Sequence, residues 1–436
     1  MNASRIQSVT ARRIYDSRAN PTVEVDILLG DGTLGRGMVP SGASTGKYEA
    51  LELRDGGGNM GGKDVTRALE NVRTVLAPTL IGMDVLDQRA VDARLIELDG
   101  TPDKSKLGAN AILGCSMAAC WAAANHRRLP LYAYLGGAMA NLLPVPMVQI
   151  IGGGAHANMA IDVQDFLIIP LNAGTFADAY QIVVNTYIAA KQVFSERGKP
   201  LSIADEGGFW PTGFKTNEEG LELLTESIAR AGYKPGKDAA IALDIASSEF
   251  YDAGKGVYTF HLENRAFTRG QFIDLLCDWV DRYPVISIED GCSELDWEGS
   301  RMLTERLGDR VQLIGDDLFT TNIERIQRGV ADKCCNSVLI KMNQIGTITE
   351  TLDAITYTQQ HGYLPVVSAR SGETEDATIV HLAIASGAGQ LKVGSAARSE
   401  RTAKWNEAIR IEERLGASGC YPAASVFLDA GVNIAR

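Results

Sequence analysis

Residues 22–28 read TVEVDIL, with apolar and polar positions alternating at the period of a strand that buries one face. Asp31-Gly32 follows as a hairpin turn, which predicts a second, antiparallel strand. Helical patterns occupy residues 65–80 and 109–124. These elements predict a small α+β domain. Residues 130–146 carry Gly136, Gly137, Pro144 and Pro146, which break the pattern and set the expected boundary, giving units 1–138 and 139–436.

Beyond that boundary, short apolar runs alternate with helical segments. The runs are DFLIIP, LSIADE, AIALD, VISIED, VQLIGD, SVLIK, LPVVSAR and QLKVG. Unbroken apolar runs suit strands buried on both faces, and their alternation with helices predicts βα units. Eight such units at regular spacing predict a (β/α)8-type barrel.

Composition narrows the function. Of 436 residues, 45% are apolar and 22% charged, the balance of an ordinary globular chain. Acidic residues outnumber basic ones 54 to 42. A general nucleic-acid binder needs the opposite surplus to displace counterions, and the same balance repels anionic membranes. An anionic small molecule can still bind where metal ions and a few lysines reverse the local sign. Seven cysteines without a CxxC pair fit a reduced compartment. The start of the chain has no apolar core like a signal peptide's. Residues 109–124, the most apolar stretch, fall short of the ~20 residues of a membrane span. A cytoplasmic protein is expected.

Almost every apolar run ends in a charge: Glu206, Asp244, Glu289, Asp316, Lys341, Arg370 and Lys392. The C-terminal ends of barrel strands face the active site, so these charges should converge on one mouth. Asp244, Glu289 and Asp316 would repel one another unless a cation neutralises them, and oxygen-only ligands suit Mg2+. Five histidines and no HxH or HExxH argue against a His/Cys zinc site. Lys341, Arg370 and Lys392 should form a cationic wall opposite the acids. A lysine among cations and metal ions has its pKa lowered and can serve as a base near neutral pH. Structural salt bridges between these lysines and acids are the plainer alternative. Two glycine-rich stretches complete the set. Residues 40–46 (PSGASTG) offer hydroxyls and backbone N–H groups for phosphate or metal, and residues 152–157 (GGGAHA) carry a single histidine.

The segments DSRANPTVEVD, PSGASTGKYEALELRD, KSKLGANAILG, ADEGGF, SIEDG, GDDLFTTN, LIKMNQIGT, SARSGETEDAT and RIEERLG together resemble the enolase family. The resemblance covers nearly the whole chain, in the family's order. It implies an N-terminal α+β domain, a barrel beginning ββαα, and a homodimer or octamer in which Glu24 pairs with Arg410 of a neighbouring subunit. It implies two Mg2+ ions, the first held by Asp244, Glu289 and Asp316 and the second by Ser44 with the substrate phosphate. Lys341 matches the base that removes the C2 proton, and Lys392 the lysine at the substrate carboxylate. Arg370 and Ser371 match phosphate-binding positions, and Ser41, Gly42, Ala43 and Gln164 also match substrate-binding positions. Glu206, His156 and Asp165 fall where the departing C3 hydroxyl is handled. A lysine base with one or two Mg2+ ions is the general pattern of such sites.

The departures fall mainly in the acid half of the site. The family's NGGxHAxNxxDxQEF reads GGGAHANMAIDVQDF from Gly152 to Phe166, so Asp165 replaces a glutamate. Its SHRSGE reads SARSGE, so Ala369 replaces a histidine. The leading expectation is a lyase interconverting 2-phosphoglycerate and phosphoenolpyruvate. The alternative is a specialised homologue that forms a phosphoenolpyruvate analogue, such as carboxyphosphonoenolpyruvate, in phosphonate or phosphinate biosynthesis. A purely binding role would not need the retained acids and lysines.

Overall fold

The computed structural model describes residues 3–42 and 45–433. In the N-terminal part, β1 (Ile6–Tyr15), β2 (Pro21–Leu29) and β3 (Leu34–Met38) form an antiparallel sheet in that order. The turn falls at Asp31-Gly32, with Gly32 at φ 85° and Thr33 N–H donating to Asp31 Oδ1 at 2.9 Å. β2 departs from the expected half-burial, because it is the central strand and is covered on both faces. Val23, Val25 and Ile27 join the core. Glu24 and Asp26 are buried beneath Arg12 and Arg36 of the neighbouring strands.

The helix Ala109–His126 runs across this sheet and is buried along almost its whole length. Its small residues let β3 come close. A Cβ on Gly35 would lie 2.2 Å from the Ala118 carbonyl oxygen. The other expected helix is built as Thr66–Asn71, a π-turn over Val72–Leu76 and Ala77–Leu80.

The second part is a closed eight-stranded barrel. Its strands are β4 (Val145–Gly152), β5 (Asp165–Pro170), β6 (Ala239–Asp244), β10 (Val285–Glu289), β11 (Gln312–Gly315), β12 (Ser337–Ile340), β13 (Leu364–Ser368) and β14 (Gln390–Ser395). A small antiparallel sheet of β7 (Tyr251–Asp252), β8 (Val257–Phe260) and β9 (Arg265–Thr268) lies between β6 and β10 in the chain. β5 runs antiparallel to both its neighbours, while the other barrel pairs are parallel. The helices Phe176–Glu196 and Glu218–Arg230 separate β5 from β6, which gives the ββαα start. Met147, Leu167, Ala242, Ile286, Ile314, Leu339 and Val366 pack together in one cluster contributed by seven barrel strands.

One strand assignment changes. LSIADE is not a barrel strand, and its only ladder contact is a bridge from Ile203 to Phe209. The missing strand is β4, VPMVQIIG. Its proline falls at the second residue, near the strand start where the lost N–H is tolerated, and so made the segment resemble a linker. Among the described residues no helix is long and apolar enough to cross a membrane, and all seven cysteines are free.

Candidate active site

Strand direction decides which residues meet. Asp244 and Glu289 are the last residues of β6 and β10. Asp316 and Lys341 follow immediately after β11 and β12, and Arg370 lies two residues past β13. Antiparallel β5 starts at the mouth where its neighbours end, so its first residue, Asp165, pairs with Gly152 of β4 and Asp244 of β6. Two positions differ from the strand-end expectation. Lys392 is the third residue of β14, and Glu206 comes from the loop after Phe176–Glu196.

The cations do not form a separate wall. Each is paired with an acid. Lys392 Nζ lies 2.8 Å from Asp244 Oδ2, 2.6 Å from Glu289 Oε2 and 3.8 Å from Asp165 Oδ2. Lys341 Nζ pairs with Asp316 Oδ2. Arg370 Nη1 pairs with Glu49 Oε2 at 2.9 Å and donates to Asn343 Oδ1 at 2.9 Å. Gln344 Nε2 donates to the other Asp316 oxygen at 2.8 Å, and Gln164 Nε2 donates to Asp244 Oδ2 at 3.1 Å.

The chain's own charges act on Lys341 in the direction opposite to that expected of neighbouring cations and metal ions. Burial disfavours its ammonium, yet Asp316 and Glu289 together outweigh burial and hold it above the ordinary lysine value. The nearest charges supplied by the chain are carboxylates, which favour the protonated form. Lys392 is raised further still. Burial opposes its charge, but Asp244, Glu289 and Asp165 all favour it.

The acids carry more negative charge than the lysines offset. Burial, then the charge of Asp244, pushes Glu289 well above the carboxylate range, and its Oε1 is buried with no hydrogen-bond partner among the described residues. Burial and Asp316 push Asp290 up to about 8. Asp290 sits at φ 43° and accepts from the N–H groups of Asp316 (2.8 Å) and Asp317 (2.9 Å). Asp290, Asp316 and Asp317 each bring one ligand atom within 4.8 Å of the others. Among the described residues the expected ligands Asp244, Glu289 and Asp316 do not gather as closely as this; they still form an all-oxygen set with an orphaned oxygen on Glu289, which fits a hard divalent cation such as Mg2+.

A second cluster faces the lysines. His156 Nε2 lies 3.9 Å from Asp165 Oδ2 and 3.8 Å from Glu206 Oε1, and its Nδ1 is buried without a partner among the described residues. Burial, with Glu206 adding to it, pushes Asp165 up to about 6, although His156 and Lys392 pull it down. Ala369 is buried beside this cluster, its N–H donating to the Lys392 carbonyl at 2.9 Å. His156, Gln164, Asp165, Glu206, Lys341, Arg370 and Lys392 line one cleft.

On the N-terminal side, Ser41 and Gly372 exchange two backbone hydrogen bonds of 2.8 Å. Ser41 Oγ donates to Asp16 Oδ2 at 2.9 Å, and Arg18 donates to Ser371 Oγ at 3.2 Å. Ser41 and Gly42 line a second pocket that shares Arg370 with the cleft. Ala43 and Ser44 lie outside the described residues.

Sequence reasoning missed Glu49, Asp290, Asp317, Gln344 and Gln149. All but Gln149 lie inside motifs that were recognised (KYEALELRD, SIEDG, GDDLFTTN and LIKMNQIGT), which was their only signal.

A family model described as "Enolase, N-terminal domain" matches residues 6–135, and one described as "Enolase, C-terminal TIM barrel domain" matches residues 140–429. "Enolase 1" of Desulfitobacterium hafniense is 68% identical over 432 residues, 99% of each chain. "Enolase" of Acidothermus cellulolyticus is 52% identical over 422 residues, 97% of each chain.

Proposed function

The chain belongs to the enolase family of hydro-lyases, and we propose that it interconverts 2-phosphoglycerate and phosphoenolpyruvate with Mg2+. The supporting observation is the meeting of Lys341 and Lys392 with Asp244, Glu289 and Asp316 at one barrel mouth, opposite His156, Asp165 and Glu206.

In this reading Asp244, Glu289 and Asp316 hold one Mg2+ and Ser44 helps to hold a second. When bound, the ions supply positive charge that stabilises the negative charge growing on the substrate carboxylate. Lys341 takes the proton from C2; Mg2+ held by Asp316 would offset the carboxylate charge that otherwise keeps this lysine protonated. Lys392 faces the carboxylate and stabilises the same charge by its ammonium. Arg370, Ser371, Ser41, Gly42 and Ala43 hold the phosphate end, and Gln164 orients the substrate beside Asp244. Glu206, with His156 and Asp165, delivers a proton to the departing C3 hydroxyl. The base and the acid thus work from opposite sides of one cleft, as removal of a poorly acidic proton followed by loss of hydroxide requires.

The full-length match to curated enolases favours this hydro-lyase over a route to a phosphoenolpyruvate analogue. Assembly as a homodimer or octamer belongs to the same proposal. Within one chain Glu24 lies under Arg12 and Arg36, and Arg410 pairs with Glu407 of its own helix.

Purified protein given 2-phosphoglycerate and Mg2+ should form phosphoenolpyruvate, followed by its ultraviolet absorbance, and excess EDTA should stop it. An absence of product with Mg2+ present would refute the proposal.

A further inference from the structure

Asp165 is one methylene shorter than the glutamate that the enolase motif carries at this position, so its carboxylate starts farther from the cleft. The structure shows what holds it. Gln149 of β4 is fully buried, and its Nε2 donates to Asp165 Oδ1 at 2.6 Å. Its Oε1 accepts from the Gly208 N–H at 2.9 Å. That backbone donor fixes which way the amide faces, since an N–H can bond only to the oxygen end. The NH2 end is therefore the end at Asp165.

The amide lies in a slot that two glycines keep open. A Cβ on Gly208 would come 2.6 Å from Gln149 Oε1. A Cβ on Gly152 would come 3.0 Å from Gln149 Nε2 and 2.8 Å from Ala204 Cβ. Gly152 is also the position where the family motif has asparagine, so the residue that would crowd the slot is the one this chain lacks. The far end of the slot belongs to the loop that carries Glu206. Ala204 N–H donates to the Gly208 carbonyl at 2.8 Å, and Gly207 takes φ 97° between them. One side-chain amide thus ties Asp165 to the segment that presents Glu206. With Oδ1 held, Asp165 Oδ2 faces His156 Nε2 at 3.9 Å and Lys392 Nζ at 3.8 Å.

We propose that Gln149 is a positioning residue for the acid half of the site: its amide, slotted between Gly152 and Gly208, sets how far the shortened Asp165 stands from His156 and Glu206. This inference rests on the enolase reading and deepens it. The long amide and the short acid form a matched pair, so lengthening the acid alone should not restore a better acid. A glutamate at 165 needs roughly 1.3 Å more room than the aspartate, and the amide is already in hydrogen-bond contact.

The test uses full-length protein with 2-phosphoglycerate and Mg2+ in D2O, reading deuterium entry at C2 and phosphoenolpyruvate formation separately. Gln149→Asn withdraws the amide by about the same 1.3 Å, and a misplacement near 1 Å can cost on the order of 100-fold. Phosphoenolpyruvate formation should fall by that order in Gln149→Asn and should also fall in Asp165→Glu. Exchange at C2 should change little in both. The double variant, short amide with long acid, should recover most of the lost turnover. Mutual rescue of this kind is the signature of two residues acting through one contact. A merely structural role would lower thermal stability and both readouts together.

Undiminished phosphoenolpyruvate formation in Gln149→Asn would overturn the proposal, as would a double variant no better than the product of the singles. If Gln149→Asn fails to fold, full turnover in Asp165→Glu alone would overturn it. Native protein giving neither exchange nor product would instead remove the enolase reading, which separates the two failures.

Discussion

Lys392→Met keeps the length and packing of the side chain and removes its charge. The ammonium it deletes lies 2.8 Å from Asp244 and 2.6 Å from Glu289, with Asp165 at 3.8 Å, and all four groups are buried. Removing one partner of a buried ion pair costs about 3–5 kcal/mol, because the other charge is left without compensation. At ~2.1 cal/mol/K per residue, a chain of 436 residues unfolds with roughly 0.9 kcal/mol/K of entropy. The loss therefore corresponds to a fall of about 3–6 °C in melting temperature.

The pH dependence has a definite sign. Glu289 already stands well above its ordinary value through burial and Asp244, and Asp165 stands at about 6. Without the lysine both rise further. A carboxyl whose folded pKa is raised binds protons more tightly folded than unfolded. Both proteins share one unfolded state, so the deficit is full above the variant's raised values and fades as pH falls to the parent's own folded-state values, about 6 for Asp165. Differential scanning calorimetry of both proteins from pH 8 to about 5 reads this directly. A variant as stable as the parent at pH 8, or a deficit that does not change with pH, would refute the view that Lys392 offsets these carboxylates.

Other outcomes follow from the same site. Lys341→Ala should abolish C2 exchange and phosphoenolpyruvate formation together, and surviving exchange would assign the base elsewhere. Asp316→Asn should weaken Mg2+ binding at least tenfold by isothermal titration calorimetry, since it removes a charged oxygen ligand; an unchanged affinity would move the metal away from this acid. Sedimentation at micromolar concentration should show a dimer or larger assembly, and a monomer would remove the Glu24–Arg410 pairing between subunits. Gly208→Ala should disturb the Gln149 slot and lower turnover, because its Cβ would sit 2.6 Å from the amide oxygen. Normal turnover in that variant would show that the slot adapts.

The sequence by itself determined the class of fold and most of the charges that meet at the barrel mouth. Apolar runs ending in charges mark buried parallel strands, whose C-terminal ends must share a face, so Asp244, Glu289, Asp316 and Lys341 were legible from their spacing alone. What it could not determine depends on direction, burial and partnership. Antiparallel β5 brings Asp165 to the mouth from the start of its strand, and no local pattern records which way a strand runs. β4 was hidden because Pro144 and Pro146 mark linkers as readily as strand starts. β2 has the alternation of a half-buried strand, and only a helix packed on one face and arginines laid over its acids bury it fully. The charge state of Lys341 was beyond reach for the same reason. Its pKa is set by whichever charge lies nearest in space, and the fold puts Asp316 there. Gln149 is the extreme case. An isolated glutamine in an apolar run carries no signal, and its role exists only because two glycines distant in sequence from each other leave a slot the width of one amide.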